Sequence, residues 1–327
     1  MVITQMLAAA GLMLSGATTA PERQNLDAVV TPTTPIDRTT TTDEVEIGRD
    51  AGDRMTVSVN VSGRGPYRFL VDTGSERTVI SRQLAQRLNL EAGNDATLHS
   101  VVGANDVATV FIPRLQVSSN VISVVDAPAL EAANIGADGM LGIDSLRSQR
   151  VLFDFKAKTM SITPSNRPVE KLDGDTIVVR ARTRHGRLVF TNAKIDGQAV
   201  TVIVDTGSQV TIGNLALQRS LMKRRLWRTP DAVTIESVTG ETLEARVAQL
   251  GELELGGVQL EDLSVAFTDA HIFNQLELRN RPALLLGMNA MRAFDRISID
   301  FHSKKVRFVL PGTSMLPSLR LASAGGI

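Results

Sequence analysis

Two aspartates, Asp72 and Asp205, each stand in the same five-residue sequence, Val-Asp-Thr-Gly-Ser, at the end of an apolar run. They are 205 − 72 = 133 residues apart, about the size of a small domain. An apolar strand ending at an aspartate places the carboxylate in or near the core, where an ionised group is costly unless hydrogen-bonded. The glycine permits a tight turn whose N–H groups can point at that carboxylate. Each copy therefore indicates a site for one buried carboxylate, with a supporting loop of Thr73, Gly74 and Ser75 or of Thr206, Gly207 and Ser208.

Two such carboxylates brought together would form a catalytic pair. Like charges a few ångströms apart cannot both ionise, so the pair would hold one proton and titrate with widely separated pKa values. One member could act as general base on a water while the protonated member polarises a carbonyl group. This chemistry suits amide hydrolysis without a metal ion or a covalent intermediate. A single Asp-Thr-Gly-Ser is as typical of an ordinary turn, but two copies after apolar strands favour the paired site.

The similarity between the two halves of the chain extends beyond these loops. Three further landmarks follow in the same order: SVVG (100–103) and SVTG (237–240), DGMLGIDSL (138–146) and ALLLGMNAM (283–291), VLFDFKAKTMSI (151–162) and ISIDFHSKKVRF (297–308). Their separations are 237 − 100 = 137, 286 − 141 = 145 and 300 − 154 = 146 residues. The separations grow slowly, as small loop insertions would make them. The chain therefore contains an internal duplication.

Each half is expected to consist mainly of strands with two short helices. MTVSVNV (55–61) alternates apolar and polar residues, and YRFLVD (67–72) follows after a glycine-containing turn, which together predict a hairpin. LVFTNAKI (188–195) and AVTVIVD (199–205) repeat this pattern. Helical segments are predicted at 81–90 and 214–225, with Ser81 and Asn214 as N-caps.

Composition excludes several classes of function. The 35 basic and 35 acidic residues balance, and no polybasic block is present, so neither nucleic acid nor an anionic membrane is an expected partner. The chain has no cysteine, and its four histidines lack metal-ligand spacing, so no metal or other cofactor is expected. These histidines, interpreted as isolated loop or surface residues, are His99, His185, His271 and His302. Motifs of nucleophile-elbow hydrolases, P-loop proteins and dinucleotide-binding proteins are absent.

The paired Val-Asp-Thr-Gly-Ser sequences and the apolar-Gly element downstream of each resemble those of aspartic proteases, specifically the retropepsin-like group. The resemblance covers roughly residues 50–310. It implies an all-β fold with a few short helices, in which two retropepsin-like lobes form one bilobal, pseudo-twofold protease. The expected divisions are a first lobe at 47–163, an interlobe linker at 164–175, a second lobe at 176–310 and a tail at 311–327.

The resemblance also assigns roles to individual residues. Asp72 and Asp205 would be the catalytic dyad that binds the attacking water. Thr73 and Thr206 would cross-link the two loops, Gly74 and Gly207 would supply backbone donors, and Ser75 and Ser208 would bond the outer carboxylate oxygens. Leu141-Gly142 and Leu286-Gly287 match the element that packs beneath each loop.

The substrate-covering flaps of the family are glycine-containing hairpins. SVVGAND (100–106) and SVTGETL (237–243) are the candidates, with Val102, Gly103, Thr239 and Gly240 at their turns, although ordinary surface turns explain these sequences equally well. The single tyrosine, Tyr67, precedes the first loop and cannot be the flap tyrosine of pepsins.

The beginning of the chain predicts export. Residues 6–20 form an apolar stretch of small residues ending in Thr-Thr-Ala, which is typical of a signal peptide at 1–20, although no basic residue precedes it. Residues 21–46 are rich in Thr and Pro and are expected to form a disordered tether or a propeptide. No membrane span is expected after signal removal, and the location would be periplasmic or secreted.

The sequence thus predicts an exported aspartic endopeptidase that acts on protein or peptide substrates as a monomer. Two alternatives remain at this point: a catalytically silent peptide-binding module on the same fold, and a protease with one narrow client. Burial and the serine hydroxyls would shift the carboxylate pKa values in opposite directions, so the sequence does not give a pH optimum.

Overall fold

The computed structural model describes residues 55–118, 120–168, 174–223 and 231–312. It also describes the backbone of four short strands: β1 (Ile3–Thr4), β2 (Gly11–Leu12), β3 (Val30–Pro32) and β4 (Ile47–Arg49). Apart from these strands, the expected signal peptide and tether lie outside the described residues, as do 169–173 of the expected linker and 313–327 of the expected tail. None of the helices in the described part of the chain is long and apolar enough to cross a lipid bilayer.

The first half is built on a seven-stranded sheet. Its elements are β5 (Met55–Val61), β6 (Arg64–Val71), β7 (Val79–Ser81), α1 (Arg82–Arg87), β8 (Ala96–His99), β9 (Ala104–Val107), β10 (Thr109–Val117), β11 (Asn120–Leu130), α2 (Ala132–Ile135), β12 (Gly139–Leu141), α3 (Ile143–Leu146), β13 (Gln149–Asp154) and β14 (Thr159–Pro164). The sheet order is β10-β11-β7-β12-β6-β5-β4, and β8 and β9 form a separate hairpin to which β1 adds.

The second half repeats this arrangement. Its elements are β15 (Thr176–Arg180), β16 (Arg182–Arg184), β17 (Arg187–Ile195), β18 (Gln198–Val204), β19 (Thr211–Gly213), α4 (Leu215–Lys223), β20 (Asp231–Glu236), β21 (Thr242–Leu255), β22 (Val258–Phe267), α5 (His271–Gln275), β23 (Ala283–Leu286), α6 (Met288–Met291), β24 (Arg296–Asp300) and β25 (Lys305–Val309). The order β22-β19-β23-β18-β17 matches β11-β7-β12-β6-β5 of the first half. The expected mostly-β fold with two lobes is confirmed.

A five-stranded sheet joins the two lobes. Its order is β14-β13-β24-β25-β15, so it combines two strands of the first half with three of the second, and the halves meet where β13 pairs with β24. The contact between halves is antiparallel, with Val151 opposite Ile299 and Phe153 opposite Ile297. These side chains are buried and belong to a hydrophobic cluster that includes residues of both lobes. Because burial of apolar surface is the main favourable term in folding, this shared core fixes the relative position of the lobes.

Local sequence signals explain the short helices that follow each Asp-Thr-Gly-Ser loop. Helix α1 begins after Ser81, whose hydroxyl accepts a hydrogen bond from Leu84 N, and it buries Leu84 and Ala85. Helix α4 begins after Asn214, whose Oδ1 accepts from Leu217 N at 2.8 Å. Both side chains satisfy an N–H that has no partner within the helix.

Candidate active site

The two aspartates occupy equivalent positions at the ends of central strands. Asp72 follows β6, and its N–H donates to Leu141 O of β12 at 3.0 Å, while Asp205 follows β18 and donates to Leu286 O of β23 at 3.1 Å. In each lobe the two strands run parallel side by side. Asp72 is 0% and Asp205 1% exposed, so both carboxyl groups are buried in the core between the lobes.

The glycine after each aspartate explains how the two carboxyl groups come together. Gly74 N donates to Asp72 Oδ1 at 2.7 Å, and Gly207 N donates to Asp205 Oδ1 at 3.0 Å. A Cβ atom on Gly74 would lie 2.6 Å from Asp205 Oδ1, and one on Gly207 would lie 2.4 Å from Asp72 Cγ. Each carboxyl group therefore packs against the loop of the other lobe, and any side chain at either glycine would displace it.

The threonines connect the two loops. Thr73 Oγ1 donates to Val204 O at 3.0 Å and accepts from Thr206 N at 3.1 Å. Thr206 Oγ1 donates to Val71 O at 2.8 Å and accepts from Thr73 N at 3.1 Å. Both hydroxyls are buried, and each satisfies two backbone groups of the opposite loop.

The serine hydroxyls do not have the role that the resemblance implies. Ser75 Oγ donates to Arg77 O and Ser208 Oγ to Val210 O, both at 2.7 Å. A hydroxyl has one proton to donate, so neither can also donate to a carboxylate. In the first loop it is the Ser75 backbone N–H that reaches Asp72 Oδ1, at 3.1 Å. The serines thus support the loops by closing their turns.

The environment raises the pKa of both paired carboxyl groups. For Asp72, burial is the largest cause and repulsion from Asp205 the second, and together they hold the pKa well above its usual range. Burial also raises the pKa of Asp205, against an opposing hydrogen bond from the Gly207 backbone. Because the two groups titrate together, the proton belongs to the pair, which holds one proton between two buried carboxyl groups.

The apolar-Gly elements lie beneath the loops. Gly142 and Gly287 each stand directly before a short helix, where a Cβ atom would lie 2.4 Å from Arg77 O or 2.3 Å from Val210 O. Gly142 N donates to Thr78 Oγ1 and Gly287 N to Thr211 Oγ1, each at 3.1 Å. The same contacts therefore hold the base of both loops.

Comparison with known families matches each half of the chain to aspartyl proteases. Residues 57–148 match the family described as "gag-polyprotein putative aspartyl protease", and residues 191–290 match the family described as "Aspartyl protease". The chain contains two retropepsin-like aspartyl protease domains in tandem. A comparison with curated proteins found no match.

Each protease domain has a hairpin turn that reaches the other domain. In the turns, Ser100 Oγ accepts from Val102 N and Gly103 N, and Ser237 Oγ accepts from Thr239 N. The residues that insert are the valines directly after these serines. Val101 is 1% exposed and packs in a cluster with Ile272 and Phe273 of the second domain, and Val238, also 1% exposed, packs with Ile135 and Leu130 of the first.

The four flap residues named from the sequence lie beside these valines in the turns, and their role in substrate binding stays a prediction. Val102 and Thr239 are only partly buried, and nothing lies within 4 Å of a Cβ added at Gly103, whereas a Cβ on Gly240 would lie 2.9 Å from Asn134 Nδ2. The signal that could have identified the inserting residues is the identical Ser-Val pair in SVVG and SVTG. We refer to residues 96–107 as the first flap and to 231–243 as the second flap.

Arg187, at the start of β17 in the second domain, was not singled out from the sequence. Its side chain is fully buried, and its Nε donates to Gly74 O at 2.8 Å and its Nη1 to Glu76 Oε1 at 2.7 Å. Its positive charge opposes the rise in pKa of both Asp72 and Asp205. The equivalent of Glu76 in the second loop is Gln209 (209 − 76 = 133), which carries no charge. A usable signal was an arginine directly before the apolar run LVF (188–190).

The interpretation of all histidines as isolated residues was wrong for two of them. His99 of the first flap and His271 of the second domain contact each other, with Nδ1 and Nε2 2.9 Å apart. Separated by 172 positions, they have no spacing that a sequence pattern could reveal. Among the described residues, no group of three or more His, Asp or Glu side chains could hold a metal ion.

Proposed function

We propose that the chain is an aspartic endopeptidase in which Asp72 and Asp205 form one catalytic dyad. The observation that carries the proposal is the crossed packing of the carboxyl groups, each lying against the glycine of the opposite loop. Such a pair holds one proton between two buried groups, which is the arrangement that general acid–base hydrolysis requires.

The two coupled carboxyl groups would divide the acid and base roles between them. The ionised member of the pair would take a proton from the bound water, whose oxygen attacks the carbonyl carbon of the substrate. The protonated member would donate a hydrogen bond to the carbonyl oxygen, where negative charge develops. Among the described residues, Asp72 Oδ2 is a buried oxygen without a hydrogen-bond partner, which suits an atom that must bond water or substrate. The proton then passes to the amine that leaves.

Substrate would bind as an extended strand beneath the two flaps. The flaps are hairpins whose tips reach across the pseudo-twofold axis, so a peptide between them and the dyad can form strand-like backbone hydrogen bonds with either lobe. Because both halves of the site belong to one chain, we propose that the monomer is active. We also retain export as part of the proposal, on the basis of the apolar segment 6–20.

The test is cleavage of a diverse peptide mixture by the purified full chain, from about pH 3.5 to 7.5, with products identified by mass spectrometry; this range spans the ordinary Asp pKa and neutrality. Asp72→Asn and Asp205→Asn should each abolish cleavage, and Asp95→Asn, an exposed control, should not. Cleavage that survives either dyad substitution would contradict a shared site. A folded parent chain that cleaves nothing would favour the silent binding module or a narrow-client protease. Peptide binding to Asp72→Asn then identifies the ligand in either case.

A further inference from the structure

The contact between His99 and His271 joins the first flap to the opposite lobe. His99 is the last residue of β8, and His271 begins α5. Their rings are nearly parallel, with an interplanar angle of 11° and centroids 5.2 Å apart. Directly beside them, His271 N donates to Val101 O at 2.8 Å, and the Val101 side chain is buried against the second domain. The histidine pair therefore lies where the flap tip meets the second lobe.

The hydrogen bonds define the protonation state that this contact needs. Gln275 Nε2 lies 3.2 Å from His271 Nε2, and His99 Nδ1 lies 2.9 Å from the same atom. With the Gln275 amide nitrogen turned toward the ring, the amide donates, which assigns His271 Nε2 as the acceptor without a proton. His99 then donates through Nδ1–H, and His271 is neutral with its proton on Nδ1. A proton added to His271 Nε2 removes the acceptor for both neighbours.

We propose that the His99–His271 contact is a proton-sensitive latch that holds the first flap closed over the cleft. The flap is closed when the pair is neutral and is released when His271 becomes protonated. The proposal rests on the proposed function only in that the cleft beneath the flap is the substrate site.

Among the described residues, no carboxylate raises the pKa of either histidine. Burial lowers the pKa of His271, and burial together with repulsion from His271 lowers that of His99. Nearby acidic side chains have other partners: Asp106 of β9 accepts from Thr97, Asp269 pairs with Arg279, Glu277 pairs with Arg184, and Asp126 of β11 accepts from Asn94. Strand β1 and the remainder of α5 contain no titratable residue.

The direction of the pH effect follows from these lowered pKa values. The closed flap binds fewer protons than the open flap, in which the histidines have their ordinary pKa of about 6.5. Closure is therefore strongest above that value and weakens as the pH falls below it. A lowering of one pKa unit in the closed state corresponds to about a tenfold loss in the closing equilibrium at low pH.

The second flap provides an internal control because it has no such pair. The residue equivalent to His99 is Glu236 (236 − 99 = 137), and α2, the counterpart of α5, begins with Ala132. Only one of the two flaps should therefore respond to pH in the range where histidine titrates.

The test is amide hydrogen exchange, corrected for intrinsic rates, in the full-length Asp72→Asn protein at about pH 7.5 and about pH 5, the range in which histidine titrates. This background removes cleavage, so the result does not depend on the proposed activity. We expect protection of the His271 amide and of residues 100–103 to fall about tenfold at the lower pH, while residues 237–241 change little. His271→Gln places a non-titrating acceptor near Nε2, and His99→Asn keeps a donor near Nδ1.

The latch requires that the pH effect disappear in His271→Gln and persist in His302→Gln, whose histidine lies on the surface. It is overturned if the parent flap has the same protection at both pH values, or if the pH effect remains in His271→Gln. Should His271→Gln fail to fold, His99→Asn answers the same question, because its loss of one titrating partner must reduce the effect. Peptide cleavage plays no part in these outcomes, so failure of the proposed function would be seen separately.

Discussion

Thr73 and Thr206, 133 positions apart, form a reciprocal pair in which each hydroxyl accepts the other residue's backbone N–H at 3.1 Å. Each hydroxyl also donates to a carbonyl of the strand that carries the opposite aspartate, Val204 O or Val71 O. Neither Asp-Thr-Gly-Ser loop is thus complete without the other lobe. The geometry of the dyad and the stability of the lobe interface depend on the same four hydrogen bonds.

Removing either hydroxyl should destabilise the protein measurably. Thr206→Ala leaves Thr73 N and Val71 O buried without their partner, and an unsatisfied buried group costs about 1–3 kcal/mol. Urea unfolding monitored by circular dichroism measures this free energy, and Thr206→Ser, which keeps the hydroxyl, should be close to the parent. A fully stable Thr206→Ala protein would show that these hydrogen bonds contribute nothing to the interface.

The flap glycines should differ in their tolerance of a side chain. Gly240 has φ +83°, and its Cβ would meet Asn134 Nδ2 at 2.9 Å, so Gly240→Ala should strain the second flap at a cost of about 1–2 kcal/mol. Gly103→Ala is the matched control, since nothing lies within 4 Å of its added Cβ. Thermal unfolding of the two variants compares them directly, and equal melting temperatures would contradict the described turn geometry.

The dyad predicts how stability depends on pH. A carboxyl group whose pKa is higher in the folded than in the unfolded protein loses stabilisation as the pH rises through the folded value. Burial raises the pKa of Asp72 in this way, so Asp72→Asn should increase the free energy of unfolding at about pH 7, where the folded parent keeps a proton that the unfolded aspartate has released. The gain should shrink toward about pH 4, the ordinary pKa of an unfolded aspartate. Urea midpoints at both pH values test this.

Asp95→Asn, at an exposed position, is the control for the stability measurement and should change little at either pH. If Asp72→Asn is less stable than the parent at neutral pH, then burying the new amide without hydrogen-bond partners costs more free energy than burying the carboxyl group.

Substitutions of the Arg187–Glu76 pair should shift the activity profile in opposite directions. Arg187→Met removes the positive charge near the dyad, so the pKa values of Asp72 and Asp205 should rise and both limbs of the kcat/KM profile should move to higher pH. Glu76→Gln leaves the buried arginine without its counter-ion, so the limbs should move to lower pH and stability should fall by roughly 1–3 kcal/mol.

The comparison of the two variants is decisive because packing defects alone would not produce shifts of opposite sign. Gln is also the residue that the second loop has at this place, Gln209, so the substitution is compatible with the loop conformation. Shifts in the same direction would show that Arg187 acts through the shape of the loop rather than through its charge.

The central part of the fold was predictable because the duplication repeats a strong local pattern. Apolar strands that end at Asp72 and Asp205, the glycines after them, and the helices that begin after Ser81 and Asn214 all follow from signals within a few residues. The order of landmarks then identified the second lobe as a copy of the first. The two matched families confirm that interpretation of the chain.

The residues that sequence reasoning missed are those whose function depends on the other lobe. Val101 and Val238 look like any turn valine until the opposite core that receives them is known, and Arg187 looks like a strand-edge cation. The serine roles were wrong for a related reason: hydroxyls of Ser75 and Ser208 had a nearer acceptor two residues along their own turns. Contacts between positions more than one hundred residues apart leave no periodicity to detect.

A peptide has a direction, and a site with perfect twofold symmetry cannot distinguish the two orientations in which the peptide can bind. A half-turn about the axis exchanges the two lobes and reverses the peptide, so each pocket on one side of the scissile bond would have an identical counterpart on the other. The pairs Glu76 and Gln209, and His99 and Glu236, remove that equivalence. Under the proposed function, placing both halves in one chain would therefore allow the residues before and after the cleaved bond to be selected independently of each other.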